Sequence, residues 1–183
     1  MREIEVKIRA ENLKEVEKKL LDLGCKLSEP IRQEDVIYSY GNSTSEWEES
    51  KEGHIVLRLR REKGKAMFNM KQQRSNELDN IEYETEVKDP EAIHQILLIL
   101  GYTPKVEVKK NRRKGKFHGY EICLDEVEKL GSFVELEKLT EDSADPAEVQ
   151  EELFQTLESL GLSRKNQETR GYDTQMYQLE HKK

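Results

Sequence analysis

Seven stretches of the chain set chemically capable side chains at every second position. They are Glu3, Glu5 and Lys7, followed by Arg9; Arg58 and Arg60; Asn69 and Lys71; Glu82, Glu84 and Glu86; Lys110 and Arg112; Glu121, Cys123 and Asp125; and Glu135 and Glu137. Clustered carboxylates offer the oxygen ligands that Mg²⁺ or Mn²⁺ takes. Arginine clasps phosphate oxygens as a planar fork, and lysine meets them as a point charge. A triphosphate carried with its metal ion needs both signs in one place.

A period of two belongs to β-strands, in which alternate side chains share a face. Strands are expected at residues 3–9, 34–40, 54–61, 65–73, 80–88, 105–114, 117–125 and 132–138. Short turns fall at Lys63-Gly64 and Leu130-Gly131, and residues 105–125 read as a hairpin around Gly115. The apolar face of each strand lies opposite the charged one, as Ile4, Val6 and Ile8 do in the first. Three helices are expected. The first follows the N-cap Asn12, and the others open with Asp89-Pro90 and Asp145-Pro146, a cap residue followed by proline at the first helical position. Glycines 24, 101 and 161 stand at their ends. Residues 42–52 read as an acidic, polar loop, and Trp47 within it is expected to be either a loop anchor or a base-stacking group.

Two architectures answer this pattern. In one, the charged faces are solvated and laced by cross-strand ion pairs, each worth about 0.2–1 kcal/mol. In the other, an α+β fold closes eight antiparallel strands into a barrel. Its apolar faces then point outward beneath the helices, and its charged faces line a tunnel with room for one small ligand.

Composition narrows the function classes. The chain has 183 residues, 38% of them charged and 34% hydrophobic, and no linker divides it, so residues 1–183 read as one domain. A net charge of −7 argues against general nucleic-acid or membrane binding, while 31 Lys and Arg leave room for a local basic pocket. Cys25 and Cys123 show no zinc spacing or disulfide framework and read as free thiols in a reducing compartment. The first residues hold no apolar stretch of signal-peptide length, and the longest aliphatic run, residues 96–100, is too short to cross a membrane. A cytoplasmic location is expected.

The motifs, in order, resemble the CYTH superfamily, the triphosphate tunnel metalloenzymes. Glu3-Ile-Glu5-Val-Lys7 is similar to its N-terminal E-x-E-x-K signature. Gln33 to Tyr38 resembles its second-strand motif, Leu57-Arg58-Leu59-Arg60 its paired arginines, Lys71 its fourth-strand lysine and Lys110-Asn111-Arg112 its K-x-R. The run from Leu124 to Glu137 resembles its "LDEVEGLGxFxEIE" stretch, and Gly171-Tyr172 its terminal Ser-Tyr, with glycine for serine. Within the superfamily the chain looks most like the CyaB branch, the class IV adenylyl cyclases and their relatives.

The resemblance implies the closed barrel and a metal-dependent triphosphate enzyme. The leading expectation is a cyclase converting ATP to cyclic AMP and pyrophosphate. The alternative is a hydrolase of thiamine triphosphate, nucleoside triphosphate or inorganic triphosphate, and a third reading is a non-catalytic polyphosphate binder. It further implies Mg²⁺ or Mn²⁺ held by Glu5, Asp125 and Glu135, with Glu3 and Glu137 in support. Arg58, Arg60, Lys71, Lys110 and Arg112 would grip the triphosphate, and Lys7 would touch a phosphate or set the ionisation of its acidic neighbours; Lys7, Arg58 and Lys71 form the catalytic set. Glu82 and Glu84 would bind a second metal or balance the arginines, Glu86 would lie near the rim, and Tyr172 would close one tunnel end or serve packing. A small-molecule triphosphate is the expected partner, with a homodimer as the expected assembly beyond the monomer and neither nucleic acid nor membrane involved.

Overall fold

A computed structural model describes residues 2–41 and 51–181. Trp47 lies outside them, as does all of the acidic loop but residues 51 and 52.

The alternating stretches form eight strands: β1 (Arg2–Arg9), β2 (Ile31–Tyr40), β3 (Ile55–Glu62), β4 (Lys65–Gln73), β5 (Asp79–Val87), β6 (Tyr102–Phe117), β7 (Tyr120–Val127) and β8 (Gly131–Thr140). They pair antiparallel into a closed barrel in the order β1-β5-β4-β3-β2-β6-β7-β8. Closure gives every strand a partner on each side. The seam between β1 and β5 is short, running from Arg2 opposite Ile81 to Ile4 opposite Asp79. It is reinforced by the Arg2 guanidinium, which donates to both carboxylate oxygens of Asp79 at 2.8 and 2.9 Å.

Among the described residues four α-helices accompany the barrel: α1 (Leu13–Asp22), α2 (Pro90–Ile99), α3 (Pro146–Ser159) and α4 (Tyr172–His181). The first three start where the cap residues predict. Asn12, Asp89 and Asp145 each accept a hydrogen bond from a backbone N–H of the first turn, at 3.1, 2.9 and 2.8 Å. Their apolar stripes cover the outward faces of the strands. Val16 and Leu20 of α1, with Leu153, Phe154 and Leu157 of α3, bury Ile4, Val6 and Ile8. Leu97 of α2 packs with Tyr38, Leu57 and Leu59. The inward faces are thereby left to the charged set. Among the described residues, no helix is long and apolar enough to cross a membrane.

Two expectations are corrected. The turn between β6 and β7 is not at Gly115 but at His118-Gly119, where φ is 51° and 88°, a two-residue hairpin turn that demands positive φ. Gly115 sits inside β6 opposite Ile122. A Cβ there would stand 2.9 Å from Cys25 Sγ, Leu27 Cδ2 and the Lys26 carbonyl oxygen, so the glycine serves close backbone approach. Secondly, a fourth helix follows Gly171. Tyr172, Met176 and Tyr177 of α4 pack on Ile37, Val106, Val108, Val127 and Phe133. Ile37, Val108, Val127 and Phe133 share parity with Asp35, Lys110, Asp125 and Glu135, so the barrel interior turns from charged to apolar where α4 meets it.

Candidate active site

The barrel encloses a cavity of about 360 Å³. Its walls carry Glu3, Glu5 and Lys7 from β1, Arg58 and Arg60 from β3, Asn69 and Lys71 from β4, Glu82 and Glu84 from β5, Lys110 and Arg112 from β6, and Glu135 and Glu137 from β8. Strand parity and closure are enough to converge them. Asp125 is fully buried just behind this wall, joined to Arg112. Glu86 is exposed and paired with Lys65 at 2.7 Å.

The charges divide into groups locked by bidentate forks and groups without them. Arg112 donates from Nε and Nη2 to the two oxygens of Asp125 at 2.7 and 2.5 Å, also bonds Glu135, and lies 3.5 Å from Glu137. Arg60 donates in the same bidentate way to Asp35, at 2.7 Å for each bond. Burial would raise the Asp35, Asp125 and Glu135 carboxyls, but the neighbouring cations overcome it and hold all three below the ordinary carboxylate range. These groups are ionised and saturated with partners.

Glu3, Glu5 and Glu137 behave differently. Each offers a carboxylate oxygen, and the three oxygens lie within 4.8 Å of one another. Burial, joined by repulsion from Glu137, pushes Glu3 up to about 9. Burial and the Glu135 charge push Glu5 up to about 7. Glu137 is raised too, burial outweighing the attraction of Arg112 at 3.5 Å. Three hard oxygen donors lacking sufficient positive charge match the ligand set of a Mg²⁺ or Mn²⁺ ion.

The other cations of the cavity lie outside these bidentate forks, and Arg58 has the longest ion pairs among them. Arg58 stands 4.0 Å from Asp35 and 3.7 Å from Glu84, and its Nε has no hydrogen-bond partner among the described residues. Lys71 pairs with Glu82, whose attraction, with that of Glu5 and Glu3, overcomes burial and raises its pKa. Lys7 Nζ donates to the Arg170 carbonyl at 3.0 Å, while Glu135 and Glu5 lie at 3.4 and 3.9 Å. Lys110 Nζ is 3.4 Å from Asp125, and burial together with nearby Arg112 lowers it to about 8. The Tyr172 ring lies 4.2 Å from Lys7 Nζ and 4.7 Å from Lys110 Nζ, and its hydroxyl donates to Asp125 at 3.0 Å. Tyr172 therefore both packs and forms part of the cavity wall.

These shifts fix a pH dependence. Glu3 and Glu5 bind protons more tightly folded than at their ordinary 4.5. That contribution to stability is complete below 4.5 and is lost as pH rises through about 7 and 9. Asp35 and Glu135 have the opposite sign, and their contribution is lost only as pH falls below the ordinary carboxylate range. The metal-free protein is therefore expected to lose Tm steadily between about pH 5 and 7.5, below the titration of Lys110, and saturating Mg²⁺ should flatten that slope. Circular-dichroism melts with EDTA or Mg²⁺ test this; a metal-free Tm that climbs across the window would contradict it.

Sequence reading passed over several residues of this wall. Asp35 is two positions from Ile37 on an inward face of mixed polarity, which hid its parity. Asn69 drew notice only as the neighbour of Lys71. Glu77 accepts from the Gly171 N–H at 2.7 Å, Asp173 sits beside it on α4, and both line the cavity. No periodicity marks them, because they come from a loop and a helix start.

The CYTH domain family matches residues 1–172. A Methanocaldococcus jannaschii protein, provisionally named an adenylate cyclase, is 31% identical over 91% of this chain and 93% of its own length. A Pyrococcus horikoshii protein of solved structure superposes with a TM-score of 0.78 at 28% identity, covering 95% of this chain and 98% of its own. A Hippeastrum protein, provisionally named an adenylyl cyclase and described as having a dominant triphosphatase activity, shares the fold with a TM-score of 0.63 at 15% identity, over 98% and 95% of the two chains.

Proposed function

The chain belongs to the CYTH domain family, matched over residues 1–172, and from that premise we propose that it is a metal-dependent adenylyl cyclase that takes ATP to cyclic AMP and pyrophosphate in this cavity. One observation carries the reading. The barrel cavity holds three carboxylates short of positive charge, Glu3, Glu5 and Glu137, and shares its wall with Arg58, whose ion pairs are long, at 3.7 and 4.0 Å. A protein that bound polyanion alone would have no use for the acids.

On this reading Glu3, Glu5 and Glu137 hold Mg²⁺ or Mn²⁺, and Arg58, Lys71, Lys7 and Lys110 grip the triphosphate. Arg60 and Arg112, with Asp35, Asp125 and Glu135, form the rigid wall behind them. A bound divalent ion supplies charge neutralisation to the phosphate oxygens. The side chains hold the triphosphate extended, exclude water and neutralise charge as it develops on the leaving pyrophosphate. The ribose 3′-hydroxyl oxygen attacks the α-phosphorus, the bond from that phosphorus to the pyrophosphate oxygen breaks, and the hydroxyl proton ends on the leaving pyrophosphate. Phosphoryl chemistry of this kind asks for positioning and electrostatics more than covalent catalysis.

The second reading is a triphosphate hydrolase, since the same fold accompanies a dominant triphosphatase activity in the Hippeastrum protein. Chromatography of products from ATP, thiamine triphosphate and inorganic triphosphate, each with Mg²⁺ and Mn²⁺, separates the two. Cyclic AMP with stoichiometric pyrophosphate is the expected outcome. ADP with phosphate would replace the cyclase by the hydrolase, and no product from any of the three would overturn both.

A further inference from the structure

Asn69 is 1% exposed and lies on the inward face of β4, directly opposite Arg58 of β3 on one side and Glu84 of β5 on the other. Its Nδ2 donates to Glu82 Oε2 at 3.1 Å. Its Oδ1 has no hydrogen-bond partner among the described residues and is sealed from water. The orientation of the amide is dictated by its neighbour. Burial would raise Glu82, but Lys71 and Arg58 hold it down at about 2. An ionised carboxylate can only accept, so the amide must turn its NH₂ toward Glu82 and leave its oxygen over. A buried acceptor left unmade destabilises a fold and calls for an explanation.

The position of that oxygen is informative. It belongs to the rung of the barrel that carries Arg58, and Lys71 is two residues along the same face. Phosphate oxygens are acceptors and have nothing to offer it. A group that carries a proton does, and in an organic triphosphate the proton-bearing group nearest the phosphates is a sugar hydroxyl. Inorganic triphosphate has none, and the alcohol of thiamine triphosphate is already esterified. Arg58 and Lys71 are held in the cavity by Glu84, Asp35 and Glu82, and a polyphosphate competes with those carboxylates for both. Asn69 lines the same cavity as both cations.

We propose that Asn69 selects the substrate class: its free carbonyl oxygen accepts a hydrogen bond from a ribose hydroxyl, so that the cavity takes a nucleoside triphosphate in preference to thiamine triphosphate or inorganic triphosphate. This rests on the reading of the cavity as a triphosphate site. Asn69 is a positioning residue, since an amide can orient a hydroxyl but cannot take its proton.

The test is calorimetric binding with Mg²⁺ of ATP, 2′-deoxy-ATP, 3′-deoxy-ATP, thiamine triphosphate and inorganic triphosphate, to the parent and to Asn69→Leu. The parent should bind ATP about tenfold more tightly than the analogue lacking the accepted hydroxyl. Asn69→Leu should abolish that difference and leave inorganic triphosphate within about twofold of the parent, the lost partner being absent from that ligand. Equal weakening of all five ligands would overturn the proposal and leave Asn69 only as a support for Glu82. A parent that does not distinguish ATP from either deoxy analogue would overturn it too, and that measurement stands if the variant fails to fold. A parent that binds none of the five would instead remove the triphosphate reading beneath it.

Discussion

Glu137→Gln is expected to lower kcat/KM at low Mg²⁺ by about a hundredfold or more and to regain part of the loss at high Mn²⁺. The substitution keeps size and hydrogen-bonding capacity but removes one of three charges converging on the proposed ion. Glu137 is the suitable member of the trio for this experiment. Glu5 lies 3.9 Å from Lys7, a cation proposed to meet the triphosphate, whereas Glu137 lies 3.5 Å from Arg112, a wall arginine that keeps Asp125 and Glu135 when Glu137 is neutralised. Mn²⁺ binds oxygen and nitrogen donors more weakly than later divalent metals but dehydrates more readily than Mg²⁺, so it is the natural rescuing ion. The readout is a metal titration of activity beside Arg58→Ala. The arginine variant should lose about ten- to hundredfold in kcat/KM, the worth of a charge-assisted contact, and no metal should restore it. Rescue of Arg58→Ala by Mn²⁺, with Glu137→Gln indifferent to the ion, would reverse the two roles.

The faces of the strands were legible because side-chain direction has a period of two and registers locally. Glu3, Glu5 and Lys7 had to share a face whatever β1 paired with. Partner choice is a different kind of information. Nothing in Lys110-Asn111-Arg112 says that Arg112 will fork onto Asp125 while Arg58, of the same type and parity, stands 3.7–4.0 Å from its nearest carboxylates. That difference depends on the register of non-neighbouring strands and on depth in the barrel. Gly115 was misread for a related reason. A glycine between charged residues signals a turn locally, but here it answers to Cys25 and Leu27, distant in sequence. The helix α4 escaped notice because its apolar residues Tyr172, Met176 and Tyr177 are few, and they meet an apolar patch that is itself recognisable only once the barrel is closed.

The contrast between the two arginines leads to the largest expected change in stability. Arg112→Met should lower the unfolding free energy by about 3–5 kcal/mol, because it leaves buried carboxylates without their main counter-ion. Asp125 is 0% and Glu135 3% exposed, so bulk water solvates neither. Lys110 at 3.4 Å from Asp125 and Lys7 at 3.4 Å from Glu135 remain, but neither reproduces the bidentate fork. For a chain of this size each kcal/mol corresponds to about 2–4 °C, so a fall in Tm on the order of 10 °C is expected. Arg58→Ala should melt within a few degrees of the parent, its ion pairs being long and partly solvated. Adding Asp125→Asn and Glu135→Gln to Arg112→Met removes the stranded charges along with their partner and should recover much of the lost Tm. Thermal melts of the four proteins at neutral pH decide the matter. If Arg112→Met melts with the parent, Arg112 is free to serve the phosphates and the division into locked and poised cations fails. If it melts low and the triple variant does not recover, the loss comes from packing of the arginine stem and not from the unpaired acids.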